Sequence, residues 1–67
     1  MNITIKGLTT LMPEHFMQEG IHEVDFDGKL KIRFYREGGI LKIVDAMNGY
    51  GDNCFEEVKN ETAFITP

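Results

Sequence analysis

The residues of this 67-residue chain that are best suited to chemistry are its two histidines and its single cysteine. His15, His22 and Cys54 are metal-ligand types, and acidic residues lie near each of them in the sequence. A zinc site needs three or four converging ligands, which usually follow a recognisable spacing that is absent here. We therefore expect no metal or cofactor, with His22 as a partly buried structural residue and His15 in solvent.

Two short motifs have the composition of ligand-binding loops but lack their essential residues. The stretch DFDG, residues 25–28, has acids and a glycine, but an EF-hand spaces these residues more widely and ends on a glutamate. The stretch NGYGDN, residues 48–53, is glycine-rich but lacks the lysine of a phosphate-binding loop. We interpret both as turns or loops.

Covalent catalysis is also disfavoured. Cys54 is the only cysteine, the chain has no serine, and nothing in the sequence fixes a base beside the thiol. A domain of this size rarely builds a pocket of about 300 Å³, the lower limit for most ligand sites. We predict that the protein is not an enzyme.

The chain is long enough for one small domain, residues 1–67, with a marginal core. A single cysteine excludes an internal disulfide, which is typical of a reducing compartment. The N-terminal stretch has no signal-peptide segment, and no run approaches the ~18 apolar residues of a membrane span. These features predict a cytoplasmic protein with no membrane contact.

The net charge of −4 is divided into blocks of opposite sign. Residues 14–27 carry five acids and no base, residues 29–42 carry five bases and one acid, and residues 45–61 carry five acids and one base. The basic block, taken alone, suggests a strip for nucleic acid. The acidic blocks on both sides oppose it, because phosphate binding requires a net positive field at the contact.

The stretch EVDFDGKLKIRF, residues 23–34, alternates apolar and polar residues around Asp27-Gly28, which predicts a hairpin. A two-residue loop would place Phe26 opposite Lys29, and so would set an apolar row beside a basic row on one face. A shift of one residue moves every side chain of a strand to the other face. The loop must therefore have an odd number of residues.

Two three-residue loops satisfy this condition. We favour a loop of residues 26–28, which sets Asp25 opposite Lys29 and gives Gly28 the left-handed position of a G1 bulge. A loop of residues 27–29 is the competing register and keeps the same faces. In either register an acidic strand lies beside a basic strand, and this pairing explains much of the charge segregation.

The stretch REGGIL predicts a second hairpin, with residues 38–39 as a type I′ turn because both central positions need positive φ. This register continues the core row by placing Phe34 opposite Ile43, and it also sets Arg33 opposite Val44. The other face then gains three apolar side chains, namely Tyr35, Ile40 and Val44. Such a patch is either covered by the chain's own ends or offered to a partner.

The remaining segments complete a mainly β fold, with a small α+β domain as the alternative. Residues 2–6 alternate like a strand, while Pro13 and Glu14 favour one short helix near residues 13–19. Residues 53–66 fit either a helix followed by a strand or a hairpin. We predict a single curled antiparallel sheet or a small barrel of about five strands with one short helix.

This architecture favours a small acidic protein-interaction module, an inhibitor or modulator that binds the surface of another protein, with a homodimer as a second arrangement. Very short acidic domains without a catalytic constellation are often phage or mobile-element proteins that inhibit a host machine, including counter-defence factors. The candidate partner-binding residues combine the second apolar face, an exposed loop tyrosine and two acids near the C-terminus: Tyr35, Ile40, Val44, Tyr50, Glu56 and Glu57.

The alternative is a small nucleic-acid-binding β domain that uses the basic strands. Its candidate residues are five bases and one tyrosine for base stacking, namely Lys29, Lys31, Arg33, Tyr35, Arg36 and Lys42. Cross-strand pairing with the acidic strand accounts for the same charges without a ligand. Nucleic acid is therefore the less favoured partner.

Overall fold

A computed structural model describes residues 1–67. Its elements, in chain order, are β1 (Asn2–Ile5), β2 (Leu8–Leu11), β3 (Gly20–Phe26), β4 (Leu30–Glu37), β5 (Ile40–Asn48), α1 (Phe55–Val58) and β6 (Phe64–Thr66). Strands dominate, which confirms the prediction of a mainly β fold.

The six strands form two antiparallel sheets of three strands each, in the orders β2-β1-β6 and β3-β4-β5. The prediction of one curled sheet or barrel differs because β6 pairs with β1 and gives the N-terminal strands a sheet of their own. Alternate residues of both sheets face inward and, together with Phe16, Cys54 and Val58, form a core of 11 buried residues. Its largest side chains are those of Phe16, Phe26 and Phe34.

The two sheets meet along one side only. β2 and β3 have Cα atoms within 8 Å of each other, whereas no Cα of β5 lies within 8 Å of a Cα of β6. Because hydrogen-bonded strands lie ~4.8 Å apart, the β5 side is open. The fold is therefore not a closed barrel.

The first hairpin takes the competing register. β3 and β4 pair with Phe26 opposite Leu30, which leaves residues 27–29 as the loop. The favoured register, with Asp25 opposite Lys29, is therefore wrong. Both registers keep the same faces, so the core row survives and the acidic strand still lies beside the basic strand.

The turn itself explains this register. Asp27 and Gly28 have φ values of 61° and 71°, as a type I′ turn requires, and Lys29 N–H donates to the Phe26 carbonyl at 3.1 Å. Asp25 Oδ1 accepts the N–H of Gly28 at 2.7 Å. Aspartate tolerates the left-handed region better than most residues, so Asp27 and Gly28 turn together and the extra residue falls at Lys29.

The second hairpin follows its predicted register near the turn. Phe34 lies opposite Ile43, and Gly38 and Gly39 have φ values of 58° and 81°. The predicted type I′ turn is confirmed, because only such a turn places both central residues at positive φ in a two-residue loop.

A β-bulge interrupts this register farther along β5. Arg33 pairs with Asp45 rather than with Val44 as predicted. The extra residue reverses the inward-facing parity of the strand. Ile43 faces the core before the bulge, and Ala46, which is buried, faces it afterwards.

The segment predicted as a helix near residues 13–19 forms turns instead. Phe16 N–H donates to the Pro13 carbonyl at 3.1 Å, and Gln18 N–H donates to the His15 carbonyl at 3.0 Å. His15 has a φ of 70°, which is incompatible with a right-handed helix. The turns still bury Phe16, so the segment contributes to the core as an anchor.

Residues 53–66 adopt the first of their two predicted alternatives, a helix followed by a strand. The helix is one turn long, and Asn53 Oδ1 accepts the N–H of Phe55 at its start at 3.0 Å. Val58 and Cys54 pack into the core from this segment. No helix of the protein has the length and hydrophobicity that crossing a membrane requires.

Candidate functional site

The outer face of the β3-β4-β5 sheet, which points away from the core, is the surface best suited to a partner. It divides along the strands into two ends of different chemistry. Near the Gly38-Gly39 turn lies the apolar end, formed by Ile21, Tyr35, Ile40 and Val44. Toward the Asp27-Gly28 turn lies the charged end, formed by Glu23, Asp25, Lys31, Arg33 and Asp45. It includes one exposed apolar residue, Met47, which lies opposite Lys31.

The apolar end is exposed. Tyr35 lies on the central strand, opposite Ile21 on β3 and Lys42 on β5. Ile21 is 64% exposed, Ile40 62% and Val44 46%. The sequence left two options for this patch, covering by the chain's own ends or contact with a partner. The exposure shows that the chain's own ends do not cover it.

Ile21 is the member of the apolar end that the sequence interpretation missed. The favoured register would have placed Ile21 opposite Arg33, whereas the observed register places it opposite Tyr35. Its odd position, shared with Glu23, was a usable signal, because odd residues of β3 were already expected on the outer face. Because Ile21 belongs to that outward-facing row, it could have been identified from the sequence as an exposed apolar residue.

Two acids lie at the rim of the apolar end. The hydroxyl of Tyr35 donates to Glu37 Oε2 at 3.1 Å, and Glu19 Oε1 accepts the N–H of Gly38 at 3.3 Å. The hydrogen bond to the Glu37 carboxylate, and its negative charge, raise the pKa of the Tyr35 phenol above its ordinary value. The phenol therefore stays neutral as a donor at physiological pH.

Opposite charges lie side by side at the charged end. Arg33 Nε lies 3.5 Å from Glu23 Oε1 across the strand pair, and Asp45 lies opposite Arg33 on its other side. Lys31 lies opposite Asp25. The two bases of β4 on this face therefore have acids opposite them, as the sequence predicted in outline, although the individual partners differ from those of the favoured register.

The six residues of the nucleic-acid alternative are divided between surfaces. Lys31, Arg33, Tyr35 and Lys42 lie on the outer face. Arg36 alternates with Tyr35 and so lies on the other face of β4, opposite Leu41, while Lys29 lies in the turn. The basic residues therefore do not form one uninterrupted strip.

Tyr50 lies apart from the apolar end. It is 93% exposed in a loop that Asn48 holds, because Asn48 Oδ1 accepts the N–H groups of Tyr50 and Asp52 at 2.9 and 3.0 Å. This loop follows the end of β5 opposite to Ile40, roughly 26 Å away along an extended strand. One compact partner segment would not touch both.

Glu56 and Glu57 occupy a third position. Both are exposed in the first turn of α1, and Glu56 forms an ion pair with Lys59 on the same helix. The chain just before this helix is tied to β5, because Cys54 N–H donates to the Ala46 carbonyl at 2.9 Å. The six predicted partner-binding residues thus lie in three places, and only the apolar end unites several of them.

The potentially reactive side chains of His22 and Cys54 are engaged in packing. His22 is half-buried, its Nε2–H donates to the Gln18 carbonyl at 2.7 Å, and its ring lies 5.3 Å from that of Phe16. Burial raises the pKa of the Cys54 thiol, and the carboxylates of Glu57 and Asp45 add to this effect while the Lys6 ammonium opposes it. A neutral thiol is a poor nucleophile.

A second group of exposed apolar residues lies beside β2, and the sequence interpretation did not identify it. Met1, Leu11 and Met17 are each more than half exposed and line an open depression of about 300 Å³. Leu11 ends a strand and Met17 lies in a turn, so no periodic pattern marks them as a surface.

Comparison with known proteins finds no matching family model, no similar curated protein and no similar solved structure.

Proposed function

We propose that this protein is a protein-interaction module that inhibits or modulates a partner in the cytoplasm by occupying part of its surface through the apolar end. The observation that carries the proposal is the grouping of Ile21, Tyr35, Ile40 and Val44 on one exposed face. Exposed apolar groups rimmed by polar residues are typical of protein-binding sites. The role requires no catalytic residues.

The energetics of a small domain support this role. Fully burying an isoleucine or valine side chain contributes ~1.5–3 kcal/mol. Ile21, Ile40 and Val44 leave much of that contribution unrealised, in a domain whose core has only 11 buried residues. A partner that covers them would recover it. The Glu19 and Glu37 carboxylates at the rim favour a partner surface with basic groups around an apolar centre.

The charge arrangement favours protein over nucleic acid as the partner. On the outer face, Lys31 and Arg33 have acids opposite them, so little net positive field remains for phosphates. A gel-shift assay at low salt separates the two roles. The nucleic-acid alternative requires a shift that weakens steeply as salt rises, and the protein-interaction role requires none.

Affinity capture tests the proposal directly. The bait is the wild-type chain, the double variant Ile21→Ser/Ile40→Ser, or the matched control Leu11→Ser, which changes an apolar residue that is 72% exposed on the other sheet. We expect wild type and control to capture one defined protein and the double variant to lose it. Light scattering on the free chain tests the homodimer arrangement. Equal capture by all three baits would contradict a role for the apolar end.

A further inference from the structure

The open side of the fold is a seam between β5 and the segment of residues 61–66. Neighbouring strands in a sheet lie ~4.8 Å apart, so one strand placed between two others separates them by ~9.6 Å. No Cα of β5 lies within 8 Å of a Cα of β6, whereas β2 and β3 on the opposite side come closer than this. No backbone hydrogen bond joins β5 to residues 61–66, so β5 is a free edge strand on this side.

The β5 edge of the seam carries free backbone groups. The type I′ turn makes Glu37 and Ile40 a hydrogen-bonded pair, and such pairs alternate along an antiparallel ladder. Lys42 therefore bonds to β4, while the N–H and C=O groups of Leu41 and Ile43 point into the seam. No turn or loop hydrogen bond uses the backbone of either residue.

The interior of the seam is apolar. A cavity of about 200 Å³ lies in it, lined by Phe34, Leu41, Ile43, Glu61, Thr62 and Ala63. Leu41, Ile43 and Ala63 are only half-buried, and fully buried Phe34 lies behind them. An apolar side chain that enters from the edge would extend the core.

We propose that an extended segment of the partner protein inserts into this seam and pairs with β5 as an added strand. This inference rests on the proposed function and specifies that the partner binds through an extended segment. Apolar side chains at alternate positions would fill the cavity, because successive residues of a strand face opposite sides. The outward side chains would lie beside Ile40, Lys42 and Val44, so the seam is continuous with the apolar end.

The two sides of the seam differ in charge. The segment from α1 to Thr62 carries Glu56, Glu57 and Glu61 against the single base Lys59, whereas β5 contributes the exposed Lys42. Glu61 itself lines the cavity. Two copies, each with a net charge of −4, would bring two such acidic rims together, whereas a segment with Lys or Arg beside its apolar residues complements the rim.

A phage-displayed library of random peptides about ten residues long, the upper length of common strands, provides the probe. Two variants close the seam. Ile43→Pro removes an N–H that β4 does not use, so the intrachain ladder stays intact, and Ala63→Arg fills the cavity. The matched control is Leu11→Ser, which changes an exposed residue on β2 in the other sheet, and Ile21→Ser is measured beside it as a probe of the apolar end. Circular dichroism verifies that each variant folds.

The expected result is enrichment of peptides that alternate apolar residues with basic ones. They should bind wild type and Leu11→Ser equally, and bind both seam variants about tenfold more weakly or worse. Amide exchange by NMR gives an independent measurement: the Leu41 and Ile43 amides should exchange rapidly in the free chain and become protected when a selected peptide binds.

Other outcomes overturn the strand insertion. If no peptide is enriched, strand insertion is excluded, and the capture experiment alone then tests the proposed function. Peptides that depend on Ile21 but not on Ile43 bind the apolar end, and so support the proposed function while excluding insertion. Protection of the Leu41 and Ile43 amides in the free chain also excludes insertion of a partner strand. Protection that rises with protein concentration would show that a second copy of the chain fills the seam. Protection that is independent of concentration would show that residues 61–63 close it.

Discussion

The two ends of the outer face lie on the same three strands but differ in how far their side chains are paired with one another. At the charged end, Arg33 forms an ion pair with Glu23 and has Asp45 opposite it, and Lys31 has Asp25 opposite it, so opposite charges offset one another across the strands. At the apolar end, the side chains gain nothing comparable from one another and remain in water. A surface that is satisfied internally needs no partner, whereas an exposed apolar surface gains from one. Function is therefore expected where pairing is least complete.

The largest expected effect separates the inner face of β4 from both ends of its outer face. Phe34 is fully buried and packs edge-on against Phe16, with ring centroids 5.8 Å apart. Phe34→Ala should destabilise the protein by ~3–5 kcal/mol, enough to unfold a domain of this size, because it removes core contacts and leaves a cavity. Urea denaturation measures this loss.

The matched control for that change is Phe64→Ala, which removes the same atoms from an exposed position. Its effect should stay within ~0.5 kcal/mol. If the two alanine variants were equally stable, the assignment of stability to the inner face and binding to the outer face would fail.

The two hairpin turns, one beside each end of the outer face, provide the next comparison. Gly28 and Gly39 have φ values of 71° and 81°, and a Cβ at either position would meet nothing within 4 Å. Gly28→Ala and Gly39→Ala should each cost ~1–2 kcal/mol through left-handed backbone strain alone. D-alanine, introduced by chemical synthesis, favours this conformation and should be tolerated at both sites. A D-alanine variant as unstable as its L counterpart would show that packing, not φ, is responsible.

The turns also mark where sequence analysis succeeded and where it stopped. Alternation of residue types identified the inner and outer faces of both hairpins, because the faces depend only on whether a loop is odd or even. The choice between two odd loops depended on whether Asp27 would accept a positive φ, which composition does not decide. That one register step moved Ile21 from beside Arg33 to beside Tyr35 and so hid part of the candidate site.

Two other features depended on tertiary packing. The bulge at Val44 has no glycine to mark it, and it arises where β5 must present Ile43 and then Ala46 to the same core. The Pro13 and Glu14 pattern favoured a helix, yet burial of Phe16 in the core is achieved by turns in which His15 has a left-handed φ. Local propensity was overridden in both places.

A double-mutant cycle on Glu23 and Arg33 tests the internal pairing of the charged end. Glu23→Gln and Arg33→Gln should each lower stability slightly, and their coupling free energy should be ~0.2–1 kcal/mol because both side chains are about half exposed. The coupling should decrease as salt is added. Capture of the partner should be unaffected. A strong loss of partner binding in these variants would contradict the division of the outer face, since the charged end would then contribute to the interface.

The smallest expected effect lies at the apolar end, in the titration of Tyr35. Its pKa is raised because the phenol donates to Glu37 and because ionisation would place two negative charges together. The chain has two tyrosines, so a Tyr50→Phe background isolates this group in an ultraviolet absorbance titration. The phenolate should form above pH 10, and Glu37→Gln should lower the midpoint. Since the folded pKa lies above the unfolded value, the contact stabilises the fold below pH 10 and is lost as the pH rises through the folded pKa. An unchanged midpoint in Glu37→Gln would show that the Glu37 carboxylate does not act on Tyr35.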